Sequence, residues 1–341
     1  MASLVIEEVT RVRLLLPVDV VIQYVLVRLV KQFVPTVLIA SVVIFALIDI
    51  LPGDPAVIAL GPSATPEAVT AMRHEMGLDR PFAVRYFSWL ADAFRGNFGL
   101  STTGVTVNKL LRGTLPVTVE LALVAFALGN LGGIALGVVA GANHGKLLDI
   151  VIGVATTCAL AIPSFVAGLL LLLAFSVQLG WLPSAGEVAF TQNPVEAAKH
   201  LVLPAFALAL PIIGYISRFT RQSLVDTLTY DFVRTARAKG LSERVVVFRH
   251  ALKPSLIPVL TIVGIQLGGL LGGAIVIEQV FTWPGMGRLL IGSVSQKDYP
   301  TIETITLLLV AAYLIFNLLT DLAYAWADPR LRSALSGRQT R

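Results

Sequence analysis

The chain has 341 residues, 56% of them hydrophobic and only 14% charged, with a mean hydropathy of +0.81. A soluble domain is about 45–50% apolar and about 25% charged, so this composition excludes an ordinary soluble protein and reads as an integral membrane chain. The single cysteine, Cys158, excludes a disulfide framework and a Cys-rich metal site, while the net charge of +5 leaves nucleic acid or anionic lipid open until its distribution is known.

Residues 1–31 form an N-terminal extension. It carries Glu7 and Glu8 early and has no compact apolar core before a small-residue site, so it is not read as a cleaved signal. Within it, 14–30 reads as an interfacial helix. A membrane span needs about 20 mainly apolar residues. Six stretches qualify, at 32–51, 115–141, 150–179, 201–216, 255–277 and 302–323. Backbone groups in lipid must be satisfied internally, so all six are predicted helices and the fold is all-α with six transmembrane helices. Pro163 predicts a kink or break in the third.

The long segment 52–114 is predicted to fold into short helices on the outer face. Thr65 is an N-cap with Pro66 at the first helical position, and Gly77 ends that helix. A second helix spans 81–94, with Phe87, Leu90 and Phe94 at helical spacing. Further on, Gly129, Gly133, Gly137 and Gly141 recur every fourth residue, as do Gly264, Gly268 and Gly272, with Gly269 and Gly273 alongside. Such stripes let helix backbones approach closely. Packing inside the bundle is the favoured reading over a sliding seam or a subunit contact.

Charge sets the orientation. With both termini cytoplasmic, the inner segments 1–31, 142–149, 217–254 and 324–341 carry 4, 1, 8 and 4 Lys and Arg. The short outer loops 180–200 and 278–301 carry 1 and 2. Segment 52–114 holds six, but loops of that length are weak reporters. The positive charge is thus a membrane topology signal, and the case for nucleic acid falls away.

Enzyme signatures are missing. The nearest approach to a P-loop, GANHGKL from Gly141 to Leu147, is one residue short between its glycines and has Leu147 where Ser or Thr must hold magnesium. Neither a G-x-S-x-G elbow nor an H-E-x-x-H pair occurs, and His74, His144, His200 and His250 are scattered. Glu120, Glu303 and Asp321 fall near span ends, and Asp49 just precedes an LPGDP turn. Interfacial or paired structural charges explain each better than a proton path does.

The polar segment DFVRTARAKGLSERVVVFRHALKP, 231–254, interrupts this apolar chain. Asp231 is a candidate N-cap and Gly240 suits a left-handed helix end. Ser242 caps a second helix running toward Pro254. Arg234 and Arg237 share a face, and Ala236 is small enough for a second surface to approach. Three readings fit: a solvated topology loop, a DNA-binding helix-turn-helix, and a docking element for a cytoplasmic partner. The second is weak, because the unit is tethered between two spans with no core of its own.

The segment resembles the EAA motif of binding-protein-dependent ABC importer permeases, in their oligopeptide, dipeptide and nickel branch. Arg234, Thr235, Ala236 and Gly240 match E-A-A-x-x-x-G with Arg in place of Glu. LPGDP, GLDRP, GNFGLS, GGAIVIEQVFTWPGMGRLL, DYP and ADPRLR follow the branch's order along nearly the whole chain. Pro254 stands where the branch commonly has Asn, Asn97 where Asp is common, and the N-terminal extension is unusual.

The resemblance implies a type I ABC importer permease in a prokaryotic cytoplasmic membrane, with its transmembrane core at 115–326 and a cytoplasmic tail at 327–341. It implies a second homologous permease, two ABC ATPase subunits that hold ATP and magnesium, and an extracytoplasmic solute-binding protein. No cofactor is expected on this chain. A coupling segment, 224–254, would dock on one ATPase through Asp231, Arg234, Thr235, Ala236, Arg237, Lys239, Gly240 and Leu241. Tyr215, Arg218, Gln266 and Glu278 are candidates for the translocation path. Trp283, Pro284, Gly285 and Gly287 are candidates for the external mouth. Di- or oligopeptides are the expected cargo, with nickel chelates, glutathione, haem or sugars as alternatives on the same architecture. An ion-coupled secondary transporter and a membrane-embedded enzyme are the competing classes.

Overall fold

The computed structural model describes residues 27–50, 54–61 and 64–327. Most of the interfacial helix expected at 14–30 and of the N-terminal extension, part of the LPGDP turn and all but the first residue of ADPRLR lie outside these, as do the side chains of Asp49 and Asp321. Among the described residues the regular structure is helical, apart from one isolated bridge between Leu100 and Thr106.

A π-helical turn, Leu29–Phe33, leads into α1 (Val34–Ile50). Three short helices follow: α2 (Pro55–Leu60), α3 (Pro66–Glu75) and α4 (Phe82–Phe94). Thr65 caps α3, its hydroxyl accepting from the Ala68 amide at 3.3 Å. Gly77 then turns the chain with φ +66°. Tyr86 is the residue that α4 buries: its hydroxyl lies 2.8 Å from Ser41 Oγ and its ring packs on Phe45 of α1. Phe87 and Phe94 are 65% and 79% exposed, while Phe82, Tyr86 and Trp89 pack their rings on Phe45, so α4 meets α1 through these three aromatics.

Among the described residues five helices are long and apolar enough to cross a membrane, and one bent pair makes a sixth candidate. The predicted third span, 150–179, is that pair. Helix α6 (Leu147–Ala161) stops, Ile162 and Pro163 adopt extended angles, and α7 (Ser164–Leu171) resumes at a 106° bend before a π-helical stretch to Gln178. The proline removes an amide and pushes the preceding residue out of the helical region, which breaks the span outright rather than kinking it.

The second and fourth spans are longer than hydropathy alone indicates. They are α5 (Val107–Ala142) and α8 (Pro194–Leu228). Asn193 starts α8 by accepting from the amides of Val195 and Glu196. Its far end is amphipathic: Ser217, Thr220, Leu224 and Thr227 are buried while Arg218, Gln222 and Asp226 are not, so a window tuned to apolar runs misses it.

These two helices make the most extensive contact in the molecule. The first glycine stripe is its cause. A Cβ at Gly129 would lie 2.7 Å from Ile212, at Gly133 2.6 Å from Ile216, at Gly137 2.6 Å from the Ser217 carbonyl and at Gly141 3.0 Å from Leu224. The stripe therefore serves packing within the chain, and neither a partner nor a sliding seam is needed to explain it. In α11 (Leu252–Val280), Gly264 and Gly268 similarly face Thr320 and Tyr313 of α13 (Tyr299–Ala327), whereas Gly269 and Gly272 meet nothing within 4 Å. Two short helices, α9 (Asp231–Ala238) and α10 (Glu243–Val245), join α8 to α11 through a π-helical stretch, Val246–Ala251. The last, α12 (Met286–Gln296), precedes α13.

Candidate functional site

The N-cap of α9 is Tyr230, not Asp231, and no side chain caps the helix. Asp231 instead occupies the first helical turn, where a carboxylate complements the helix dipole. The helix ends in a Schellman motif. The Gly240 amide donates to the Arg237 carbonyl at 2.9 Å, the Leu241 amide to the Ala236 carbonyl at 3.4 Å, and Gly240 has φ +77°. That conformation is why glycine stands there, since a Cβ at Gly240 would meet nothing within 4 Å and only backbone strain opposes one.

Val233 and Ala236 seat α9 on its own chain, buried with Val138, Leu224, Val246, Val247 and Ala251. Ala236 is therefore not a clearing for a second protein: it faces inward, and its size sets how closely α9 approaches α8 and the π-helical stretch. Arg237 is also committed. Its guanidinium makes a two-pronged bond to Glu243 at 2.8 and 3.2 Å across the Gly240 turn. The pair holds the Glu243 carboxyl below its usual range and raises Arg237. Asp231, Arg234, Thr235, Lys239 and Leu241 are exposed, with Arg234 only 3.6 Å from Asp231 one turn away. Beside them stand exposed aromatic rings that charge-based reading overlooked. Tyr230 and Phe232 pack edge to face with centroids 5.9 Å apart, and Phe248 is 63% exposed. Their signal in the sequence was aromatic residues inside a polar segment, Y-D-F and V-F-R-H. Apolar rings grouped on an exposed basic surface mark an interaction site.

At the other end of α11 the polar groups are enclosed. Glu278 is wholly buried and accepts from Thr118 Oγ1 of α5 at 2.6 Å and from the amides of Gly287 and Arg288 at 2.7 and 3.1 Å. Thr118 in turn accepts from the Met286 amide at 2.7 Å. The carboxyl group thus sits at the N-terminus of α12, where amide donors are free. A Cβ on Gly285 would overlap this carboxyl and one on Gly287 would overlap Ile275, which explains both glycines of W-P-G-M-G. Trp283 is buried and donates from Nε1 to the Val117 carbonyl at 3.2 Å. Of the four residues expected to shape an outer mouth, only Pro284 is exposed. Nor does Glu278 face an open path, because its oxygens are consumed by α5 and α12.

The remaining path candidates separate. Gln266 is half-buried midway along α11. Tyr215 and Arg218 line a groove of about 640 Å³ between α6 and α8. Two ties bracket it. At one end Gly214 lets α8 approach α6, where a Cβ would lie 2.6 Å from Leu160. At the other, Asp149 accepts from Arg221 Nε and Nη2 at 2.5 and 2.8 Å and from the Gly145 amide at 3.0 Å, with His144 Nδ1 3.2 Å away. Between the ties the wall comes from Ile150, Gly153 and Thr157 of α6 and from Phe219 and Gln222 of α8. Among the described residues no cluster of metal-ligating side chains occurs.

A bundle of apolar spans with a broken third span and an exposed basic helix between two spans defines a multi-pass membrane protein. The chain belongs to the family described as binding-protein-dependent transport system inner membrane component, whose model matches residues 133–333, while a companion model for the N-terminal part of such components matches 21–122. It is therefore the inner-membrane permease component of an ABC importer. The chain is 38% identical over 310 residues to a Sinorhizobium fredii protein named "Probable peptide ABC transporter permease protein y4tP", covering 91% of this chain and 99% of that one. It is also 38% identical over 312 residues to the glutathione transport system permease protein GsiC of Salmonella typhi, again covering 91% and 99%.

Proposed function

We propose that this permease carries di- or oligopeptides, handed over by an extracytoplasmic solute-binding protein, across the bacterial inner membrane by alternating access. In this reading the chain makes six spans with both termini cytoplasmic and pairs with a second, homologous permease. Two ABC ATPase subunits below supply all the ATP and magnesium chemistry. Helix α9 is the coupling helix. What carries the reading is its surface: Tyr230, Phe232 and Arg234 are exposed on a helix whose own anchoring uses Val233 and Ala236. Closure of the ATPases on ATP would move α9 as a rigid body, and α8 and α11 would pass that movement to the spans. The peptide assignment is supported by the names of the relatives.

The test uses the four-subunit complex purified through a tag on this chain. Phe232→Ser combined with Arg234→Glu is expected to release the ATPase subunits while the second permease stays bound. ATP-dependent uptake of a labelled dipeptide is expected to fall with them. Wild-type levels of bound ATPase in that variant would refute the docking role of α9. Uptake of a nickel chelate, haem or a sugar instead of peptide would leave the architecture intact and replace the cargo.

A further inference from the structure

The groove between α6 and α8 contains an uncompensated cation. Arg218 makes no hydrogen bond or ion pair with any described residue. Its neighbour Asp149, the acid lining the groove, is already bonded by Arg221 and the Gly145 amide. Tyr215, Arg218, Phe219 and Gln222 fall at i, i+3, i+4 and i+7, one face of α8, and across the groove Thr157 adds an exposed hydroxyl. On the topology proposed above, Arg218 stands at the cytoplasmic end of the fourth span, where a cargo leaving the membrane would pass. The face sets the polar groups of Tyr215, Arg218 and Gln222 in a lining that is otherwise mostly apolar.

We propose that this groove is a station on the translocation path that takes the C-terminal carboxylate of the passing peptide, with Arg218 as its anion-binding residue. The inference rests on the peptide reading above. A permease that accepts many sequences must grip what all peptides share, and the terminal carboxylate is such a group. The planar guanidinium matches a carboxylate with two parallel bonds. Tyr215 and Gln222 flank it one turn to either side and supply further donors. Ile150 and Phe219, both exposed, offer an apolar wall to a terminal side chain without selecting its shape. A volume of about 640 Å³ holds the end of a peptide and not a folded chain.

The experiment compares uptake of a labelled tripeptide with uptake of its C-terminal amide, in proteoliposomes holding the complete transporter and its solute-binding protein. Wild type, Arg218→Gln, Arg218→Met and Arg218→Lys are measured side by side. The preference of the binding protein enters every acid-to-amide ratio equally and cancels between variants. The ratio is expected to fall about tenfold in Arg218→Gln and Arg218→Met, the effect of one charge-assisted pair, and by a smaller factor in Arg218→Lys, which keeps the charge and loses the two-pronged geometry. Using two neutral variants keeps the test decisive if one of them fails to assemble. An unchanged ratio, with uptake of both forms reduced together or not at all, would overturn the proposal and leave Arg218 a topology signal or a contact for lipid phosphate. Failure of the wild-type transporter to take up either form would instead remove the peptide reading itself.

Discussion

The two ends of α11 are built on opposite plans. At its C-terminal end the buried polar side chains of Glu278 and Trp283 are matched inside the chain: Glu278 is shared by Thr118, Gly287 and Arg288, and Trp283 is tied to Val117. The neighbouring turn repeats the device. Asp298, buried, accepts from Ser101 Oγ and Thr301 Oγ1 at 2.6 Å each and from the Thr102 amide at 3.2 Å, pinning the segment before α5 to the start of α13. Preceding α11, by contrast, Tyr230, Phe232, Lys239 and Phe248 stand exposed, and the ion pairs of Arg234 with Asp231 and of Arg237 with Glu243 are open to solvent. The first end is closed by contacts inside the chain. On the reading proposed above, the second is completed by another protein.

The largest expected effect falls on the enclosed end. Glu278→Ala leaves the Gly287 amide and the Thr118 hydroxyl buried without their shared acceptor, at about 1–2 kcal/mol for each group. Adding the cavity, the variant should lose about 3–5 kcal/mol of stability, read as a large drop in unfolding temperature in detergent and in accumulation in the membrane. Glu278→Gln keeps the shape and one acceptor and should lose clearly less. If Glu278→Ala unfolds with the wild type, the enclosed node is ornamental and the contrast between the ends collapses.

A smaller and qualitatively different effect is expected at Gly240. Because a Cβ there meets nothing within 4 Å, Gly240→Val introduces backbone strain of about 1–2 kcal/mol and no clash. The protein should accumulate normally. The Schellman turn should shift, though, and displace α9 from its seat, so ATP hydrolysis continues while uptake per ATP falls several-fold. Normal uptake by Gly240→Val would show that the angle of α9 does not carry the coupling.

Features written into local composition were legible from the sequence. Apolar runs marked the spans, Thr65 with Pro66 marked a helix start, and Gly240 a helix end, because each acts through its own backbone or its own solvation. Pairings distant in sequence were not. Glu278 looked like a path residue because it is a polar group at a span end, yet its carboxyl is taken up by Thr118, 160 positions away. Ala236 looked like an opening because it is small, but smallness says only that something comes close. Here the close neighbours are Val246 and Val247 of the same chain. Tyr230, Phe232 and Phe248 were passed over because aromatic residues in a membrane chain are unremarkable until the structure leaves them bare.

The smallest effect sharpens the contrast between the two ends. Arg237 and Glu243 form the one ion pair that crosses the Gly240 turn, and both are well exposed, at 41% and 65% of the side chain. An exposed pair contributes about 0.2–1 kcal/mol, less in salt. Arg237 holds the Glu243 carboxyl below its ordinary value of 4.5, so the contribution is present above that pH and is lost as pH falls through the lowered value. Between pH 8 and pH 5 both groups stay charged. Arg237→Ala should therefore weaken ATPase binding by no more than about fivefold at pH 7, the upper end of that energy range, and the defect should be flat across this window. A variant defect that grew steeply between pH 7 and pH 5 would mean that a buried titrating group helps to fix α9. The two ends of α11 would then share one plan, and α9 would be a fixed part of the bundle rather than a surface completed by its partner.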